Sequence, residues 1–470
     1  MTARYSFLIP IIVGCAQFMH QFDGAVIATA LPSMARSLNE DPLHLNLAIT
    51  CYLLALAVFV PVSGWLADKY GAKQIYLIAI FIFTASSVLC GWASSLPQLV
   101  VSRILQGMGG AMMTPVGRLI VVRTAPKSDL VKAMNYITIP GALAPLLGPS
   151  VGGFIVTYFS WPWIFFVNLP IGIIGLLLVY THIPALEKGP LRPFDLLGFC
   201  LTSISLASLV FGFEIMGRSI LPPSYVATLL IGGSLMAGFY IYHAQRVDNP
   251  IIDLKLLRIR SFAASITGGG LFYIGTTSFV FLIALVLQLG FGFSAFHAGL
   301  TTLAGAAGSL TTRFVFPHVL RFFGFQHLLI SNAILMGVYL IMCGFFDPSM
   351  PFPLMLVLLF IGGYARSTQF TAVQSLAYVD MPSEHMSSAT SFSAMSQQLA
   401  QSFGVGLAAL IIHISLSWHG SATLSLTDMM PSFFTLGAAV IFSALIFKGL
   451  PAQTGAEFGT ARNPQERKNK

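Results

Sequence analysis

Charged residues are scarce in this chain. They make up 9% of its 470 residues, whereas hydrophobic residues make up 56%. Soluble globular proteins carry about 25% charged residues, so the composition excludes an ordinary soluble enzyme and indicates an all-α protein that crosses a membrane many times. Because each span needs roughly 20 apolar residues, the chain has room for about 14–16 spans and none for a soluble catalytic domain.

Cysteines and catalytic motifs are scarce as well. The five cysteines lie in apolar runs, and none belongs to a Cys-x-x-Cys pair, which argues against a disulfide framework or a zinc site. The apolar runs contain no His-Glu-x-x-His, no convincing carboxylate dyad and no nucleophile–base spacing. We therefore expect a protein that is not an enzyme and that holds neither a metal ion nor a cofactor.

Apolar segments dominate the chain, and we expect each to be a transmembrane helix. Short polar connections separate them, and a polar tail over 451–470 is expected to be disordered. The fourteen segments are 7–31, 45–65, 74–92, 98–122, 132–156, 161–182, 196–217, 224–244, 262–289, 295–315, 327–346, 353–377, 389–416 and 431–449.

Positive residues fall mainly on one side of these spans. With the N-terminus inside, 20 of the 24 lysines and arginines lie in cytoplasmic segments or at cytoplasmic helix ends, Arg118 among them. Cytoplasmic loops of membrane proteins carry such an excess, so we expect fourteen spans with both termini in the cytoplasm. The net charge of +8 then reflects topology, and we expect no nucleic-acid partner.

The first span carries a carboxylate. Asp23 lies well inside it, and His20 lies three residues earlier on the same helix face. A carboxylate in lipid is costly and normally faces a cavity or a partner, and the arrival of a ligand can shift its protonation. We assign proton coupling to Asp23, with a purely structural ion pair as the alternative. For His20 the simpler interpretation is a satisfied polar neighbour; a share of the proton or a place in the substrate cavity is the alternative.

The fourth span carries an arginine. Arg103 lies about one and a half turns from the external end of that span. It could snorkel to the surface, or it could face a cavity and there bias Asp23 or hold a substrate. In the sixth span Asn168 is an amide that needs a partner on a neighbouring helix.

A tight charged connection, Gly64-Trp-Leu-Ala-Asp68-Lys-Tyr-Gly71-Ala-Lys73, joins the second and third spans. Gly64 allows close backbone approach, and Gly71 allows a turn with φ above zero. Asp68 can face a helix N-terminus or pair with an arginine. Lys73 carries the kind of charge that stays in the cytoplasm.

The fifth span is rich in glycine and proline. It contains Gly148-Pro149-Ser-Val-Gly152-Gly153. Glycines four residues apart give a flat surface for helix packing, and a proline bends the helix. These residues by themselves predict a tightly packed, kinked span.

Polar residues in the second half are candidates for a cavity. Arg366 lies near the middle of the twelfth span and cannot easily snorkel from there, so a cavity or a buried acidic partner is implied. Gln369 follows it, and Gln397 and Gln401 share one face of the thirteenth span. The glutamines either line a pore or bond neighbouring helices.

These motifs together resemble the major facilitator superfamily, and within it the fourteen-span drug:proton antiporter family. The Gly64–Lys73 connection resembles the signature loop after the second span, and Arg103 followed by Gln106-Gly107 resembles the fourth-span motif assigned to proton transfer. The Gly148–Gly153 run resembles the fifth-span antiporter motif, which in exporters is held to set the bend and to seal against leak. Ala144 stands where a further glycine is often found.

The resemblance implies a fold of two six-helix bundles, over about 1–182 and 262–450, with two extra helices in a linker over 183–261. It implies alternating access around a site at the midplane. On this basis we assign conformational or gating roles to Gly64, Asp68, Gly71, Lys73, Arg118, Gly148, Pro149, Gly152 and Gly153.

The expected function is proton-coupled efflux of amphipathic drugs across a bacterial inner membrane, a multidrug antiporter with a part in antibiotic resistance. We expect it to work as a monomer in the bilayer, with small molecules and protons as its partners. However, the candidate cavity has two arginines, Arg103 and Arg366, against one clear carboxylate. That balance suits an organic anion at least as well, so the alternative is a proton-coupled exporter of an organic acid or another metabolite.

Overall fold

Helices form nearly all of the ordered architecture. The computed structural model describes residues 7–40, 42–126, 129–189, 193–216, 222–419, 424–451 and 454, and no strand occurs among them. A helix satisfies its backbone hydrogen bonds within one segment, as lipid requires. The predicted tail lies outside the described residues except at 451 and 454. The helices are α1 (Leu8–Leu38), α2 (Pro42–Phe59), α3 (Ser63–Tyr70), α4 (Ala72–Gly91), α5 (Leu96–Thr124), α6 (Leu130–Tyr158), α7 (Trp163–Phe166), α8 (Asn168–His182), α9 (Leu196–Ile215), α10 (Pro223–Ala244), α11 (Arg260–Leu285), α12 (Ala295–Cys343), α13 (Phe352–Val379), α14 (Met386–His419) and α15 (Leu426–Lys448).

Eight of the described helical segments are long and apolar enough to cross a membrane. The number rises to ten when each bent pair counts as one span, and the pair of residues 47–59 with α3 bends by 56°. The chain is therefore a multi-pass, all-helical protein.

Glycines with positive φ break the helices at Gly71 and Gly324. Gly71 separates α3 from α4 with φ 99°, and Gly324 interrupts α12 with φ 71°. A side chain at such a φ would be strained, so glycine is the residue that fits. The expected break between 315 and 327 is therefore a single sharp bend, and helix continues on both sides of Gly324.

Capping residues fix several helix starts. The carboxylate of Asp195 accepts a hydrogen bond of 2.8 Å from the Gly198 amide at the start of α9. Ser425 and Asp428 form a capping box at the start of α15. Both arrangements satisfy amide groups that have no partner within the helix.

The described helices pack on one another both within and between the two halves of the chain. In the N-terminal half, which we define as α1–α8, α1 packs on α6 and α5 packs on both α2 and α4. In the C-terminal half, α11–α15, α12 packs on α13 and α15, and α11 packs on α14 and α15. Helices α9 and α10 pack on each other, and α9 also contacts α2 and α14. The halves meet where α6 contacts α12 and α13, and where α14 contacts α3 and α5.

Candidate transport site

A buried ion pair links α1 to α5. The Arg103 Nη1 atom lies 2.6 Å from Asp23 Oδ2, and both side chains are fully buried. Arg103 also donates from Nε to the Ala48 carbonyl at 3.3 Å, and its guanidinium lies 4.1 Å from the centre of the Tyr52 ring. The structure thus pairs two residues predicted for proton coupling, and it places Arg103 neither at the surface nor against open space.

Neutral side chains complete the shell around Asp23. Gln106 Nε2 and Asn168 Nδ2 donate to Asp23 Oδ1 at 2.8 and 2.9 Å. Both amides also contact the Ser87 hydroxyl, at 2.7 and 3.3 Å. The expectation that Asn168 bonds a neighbouring helix is confirmed. Both Asp23 oxygens therefore accept hydrogen bonds, which offsets much of the cost of burying the charge.

His20 lies beside this network. Its Nδ1 atom is 2.8 Å from the Tyr52 hydroxyl, and the side chain is buried. His20 also lines a small cavity of about 40 Å³, together with Gln17, Gln21, Gln397, Gln398 and Gln401. His20 is therefore a satisfied polar neighbour that also lines the small cavity.

A larger cavity, which we call the main cavity, lies between the halves. Its volume is about 380 Å³, and residues of α1, α5, α6, α11, α13 and α14 line it. Gln17, Gln21 and Gln401 line both this cavity and the small one. Ligand pockets of about 300–1,000 Å³ bury a small molecule well, so the space suits one small substrate held by both halves at once.

Two arginines supply the charge of the main cavity. Arg118 and Arg366 line it, and none of the described residues along its wall is an aspartate or a glutamate. Arg366 is partly exposed and forms no ion pair within the described part of the chain, so the cavity alternative for it is the one observed. A substrate in this space meets an excess of positive charge.

Arg118 is buried and bonds across the two halves. It lies inside α5, is only 3% exposed, and donates from Nη2 to Gln397 Oε1 at 2.9 Å, across the two halves. Gln397 also accepts from Gln374 at 2.8 Å, and Gln374 donates to the Tyr273 hydroxyl at 2.8 Å. Arg118 lies within the last two turns of α5, and its side chain is directed into the contact between the halves rather than toward solvent.

Arg103 and Gln369, which were expected in the cavity, line neither the main cavity nor the small one, whereas His20 and Gln397 line only the small one. Arg103 pairs with Asp23 and does not line the main cavity. Gln369 is fully buried in the C-terminal half, accepts from Asn332 at 3.1 Å and donates to the Leu329 carbonyl at 3.2 Å. With about 100° between successive residues, Gln369 lies to one side of the cavity face of α13 formed by Arg366, Phe370 and Gln374. Both placements correct the sequence expectation.

Sequence reasoning missed Tyr52, Gln374 and the placement of Arg118. An isolated tyrosine or glutamine in an apolar run gives no sign of its direction. The positions of Gln17 and Gln21 did indicate a shared polar face on the first span, since residues four apart lie on one side of a helix.

At the end of the molecule that carries α3, which we call the α3 end, contacts between the two halves close the gap between them. Asp68 pairs with Arg123 at 3.0 Å and accepts a short hydrogen bond from Ser387, near the start of α14. A Cβ on Gly64 would lie 2.6 Å from the Ser387 carbonyl. Asp68 thus has both of the partners that were considered for it, and the halves touch here.

The rest of the charged connection also has partners. Lys73 is half-buried and donates to the Tyr180 carbonyl at 2.8 Å, which ties α4 to α8. Farther along the same end, Arg313 of α12 donates to the Tyr136 hydroxyl of α6 at 3.0 Å. The Arg313–Tyr136 bond joins the two halves, so it must break if the α3 end is to open.

The fifth-span motif packs on α1. A Cβ on Gly148 would lie 2.6 Å from the Ala25 Cβ, and one on Gly152 would lie 2.6 Å from Val26 Cγ2. Gly153 faces open space, and the side chain of Pro149 lies outside the described residues. The expected tight packing therefore occurs at two of the glycines, against the helix that carries Asp23.

Comparisons with known proteins place the chain in a family. The family model described as Major Facilitator Superfamily matches residues 13–405. The "Putative multidrug resistance protein MdtD" of Pectobacterium atrosepticum is 37% identical over 454 residues, which cover 96% of this chain and 97% of that protein. The protein of the same name from Escherichia coli O6:H1 is 36% identical over 455 residues, 96% of each chain.

Solved structures share the fold. The proton:xylose symporter XylE, bound to 6-bromo-6-deoxy-D-glucose, superimposes with a TM-score of 0.68 at 16% identity, over 97% of this chain and 98% of that one. The human organic anion transporter MFSD10 superimposes with a TM-score of 0.64 at 14% identity, over 95% and 100%. The chain belongs to the major facilitator superfamily, and it is a multi-pass membrane transporter of small molecules rather than an enzyme.

Proposed function

We propose that this transporter is a proton-coupled exporter that works by alternating access in a bacterial inner membrane. The observation that carries the proposal is the buried Asp23–Arg103 pair, which Tyr52 and His20 connect to a small cavity lined by both halves. An isolated charge in such a place is costly, so gain of a proton by Asp23 removes the partner that holds Arg103. Protonation is thereby linked to the packing of α1 against α5.

The proposed topology has fourteen spans with the α3 end and both termini in the cytoplasm. It is supported by the helix order when α2 with α3 and α7 with α8 each count as one span and the two arms of α12 count separately. The proposed bundles are residues 1–182 and 262–450, with α9 and α10 inserted between them. The unit we propose as functional is the monomer.

The conformational cycle follows from the closed α3 end. In the proposed topology this state closes the main cavity to the cytoplasm, and the cavity is accessible from the external side. Loss of the Asp68–Ser387 and Arg118–Gln397 contacts would open the cytoplasmic side. Arg118 is then both a cavity charge and part of the closure, which supports its assigned gating role.

Export rather than uptake is the direction we propose. The fifth-span glycines support it, because Gly148 and Gly152 hold α6 tightly against α1 beside Asp23. Such packing limits leak of protons past the coupling residue. The two relatives are named multidrug resistance proteins, and resistance arises when a transporter removes compounds from the cell.

For the substrate, the cavity favours a small organic anion over a lipophilic cation. Arg118 and Arg366 are its charged groups among the described residues, and the glutamines around them can donate further hydrogen bonds. Phe281 and Phe370 add apolar surface. A carboxylate with an apolar portion would match this wall, whereas a cation would meet two like charges. Because the relatives are named multidrug resistance proteins, drugs are the second candidate substrate class.

The test is proton release from inverted vesicles, read with a pH-sensitive dye. Succinate and benzoate form one panel, and ethidium and rhodamine 6G form the other. We expect the acids to release protons with wild-type protein and to release none with Asp23→Asn. Arg366→Gln should raise the half-saturating concentration of succinate about 10- to 100-fold, because a hydrogen bond to a charged group contributes roughly 1.5–3 kcal/mol.

Arg321→Gln is the matched control, because Arg321 is an exposed arginine at the α3 end, away from the cavity wall. It should respond as the wild type does. A response confined to the two cations would overturn the anion assignment and leave proton-coupled export standing. Proton release that persists in Asp23→Asn would overturn the coupling itself.

A further inference from the structure

Asp23 has no direct contact with the main cavity. The carboxylate is fully buried, and its oxygens are occupied by Arg103, Gln106 and Asn168. Proton coupling at Asp23, which is the proposed function on which this inference rests, needs a route from water to that carboxylate. The elements around His20 supply the groups for such a route.

Room for water reaches His20. The small cavity of about 40 Å³ shares Gln17, Gln21 and Gln401 with the main cavity. One water needs about 10–15 Å³ of such volume, so two to four waters fit, and the surrounding amides can bond them. His20 is the only imidazole among the described residues of its wall.

His20 in turn contacts the Asp23 network. Its Nδ1 atom is bonded to the Tyr52 hydroxyl at 2.8 Å, and the Tyr52 ring covers the Arg103 guanidinium, which holds Asp23. His20 and Tyr52 therefore lie between the small cavity and the ion pair. Imidazole has two nitrogens, so it can take a proton at one edge and release another at the opposite edge.

We infer that His20 and Tyr52 form a proton relay between the cavity water and Asp23. A hydronium ion in the small cavity gives a proton to His20 Nε2. His20 Nδ1 passes its own proton to the Tyr52 oxygen, while the Tyr52 hydroxyl gives its proton to an Asp23 oxygen. The result is a neutral His20 in its other tautomer, an intact Tyr52 and a protonated Asp23, so one proton has moved.

The last transfer occurs as Asp23 leaves Arg103. In the closed pair Asp23 Oδ1 accepts from both amides and Oδ2 accepts from Arg103, and among the described residues no hydrogen bond joins Tyr52 to Asp23. Departure of Asp23 from Arg103 frees one oxygen, and protonation then prevents the pair from forming again. The relay is therefore coupled to the same step that loosens α1 from α5.

Few charged or titratable side chains lie near His20. Asp23 on its own helix, Arg103 of α5, Tyr52 of α2 and the Cys90 thiol of α4, which donates to Gln106 Oε1 at 3.6 Å, are the titratable groups of the adjoining network. Helix α4 presents the edge of the Phe83 ring, and α14 presents neutral glutamines across the small cavity. No other charged group lines that cavity among the described residues. The proton on His20 thus responds mainly to the state of the Asp23–Arg103 pair.

The test measures how fast Asp23 takes up a proton. The full-length protein in proteoliposomes is jumped from alkaline to acidic buffer, and infrared difference spectra follow the carboxylic-acid band that Asp23→Asn lacks. His20→Gln keeps an amide next to Tyr52 but cannot relay. Tyr52→Phe keeps the ring over Arg103 but lacks the hydroxyl.

A relay changes the rate and leaves the equilibrium extent unchanged. Both variants should slow the appearance of the band at least about tenfold, since proton transfer by a positioned group contributes about 10²–10⁴-fold. The final amplitude should equal that of the wild type. An unchanged rate in either variant, or a changed amplitude in both, would overturn the relay. Absence of the band in the wild type would instead overturn proton coupling at Asp23.

Discussion

Removal of one partner from the Asp23–Arg103 pair gives the sharpest test of its energetics. In Arg103→Gln the Asp23 carboxylate keeps Gln106 and Asn168 but loses its only cationic partner among the described residues. Breaking a fully buried pair in this way costs about 3–5 kcal/mol, because an uncompensated charge stays behind. Asp23→Asn leaves the guanidinium uncompensated and should cost a similar amount.

The double variant decides whether the pair acts as a unit. With both charges removed, no uncompensated charge stays behind, so the double variant should be more stable than the sum of the single losses by about 3 kcal/mol. Reversible unfolding of the purified protein by a denaturing detergent, with ellipticity as the signal, measures all four stabilities.

The control for this cycle is an exposed pair. Lys132 lies 3.7 Å from Asp129, and its side chain is 55% exposed. Lys132→Gln should cost less than about 1 kcal/mol, because solvent screens exposed pairs. The reasoning about the buried pair would be refuted if the stability losses of the single variants simply added in the double variant. It would also be refuted if Arg103→Gln lost as little stability as Lys132→Gln.

Three further predictions concern the α3 end. Gly64→Leu should open it, because even a Cβ would lie 2.6 Å from the Ser387 carbonyl; spin labels on α3 and α14 should move apart, and an unchanged distance would contradict this. Ser387→Ala removes one bond to the Asp68 carboxylate and should shift the same labels toward the open state about tenfold in population; wild-type populations would count against it. Gly71→Ala should lower stability by about 1–2 kcal/mol through backbone strain alone, since φ is 99° and open space surrounds the position; an unchanged unfolding midpoint would show that this turn carries no strain.

Much of the architecture could be predicted from the sequence. Long apolar runs must become helices in lipid, whatever lies next to them. Asp23 was expected to face a cavity or a partner because a charge in lipid is costly, whereas Arg103 could also have snorkelled to the surface. The residues of the Gly64–Lys73 connection also indicated their own contacts, since the turn at Gly71 and the arginine pairing of Asp68 follow from local chemistry.

The cavity wall could not be predicted in the same way. Whether Arg103, Arg118 or Arg366 faces the cavity depends on how α5 and α13 are rotated within the packed helices. A helix position advances about 100° per residue, so an error of one residue in rotation exchanges a cavity residue for a packing residue. Gln369 and Arg366 are three residues apart, yet one bonds Asn332 and the other lines the cavity.

The most direct test of the central claim is uphill transport by Asp23→Asn. Proteoliposomes with an imposed pH gradient would be given labelled succinate, and accumulation against its own gradient would be measured beside exchange at equal concentrations without a pH gradient. We predict that Asp23→Asn exchanges succinate but does not accumulate it, whereas the wild type does both. Accumulation by Asp23→Asn to the wild-type level would contradict the claim that Asp23 carries the coupled proton.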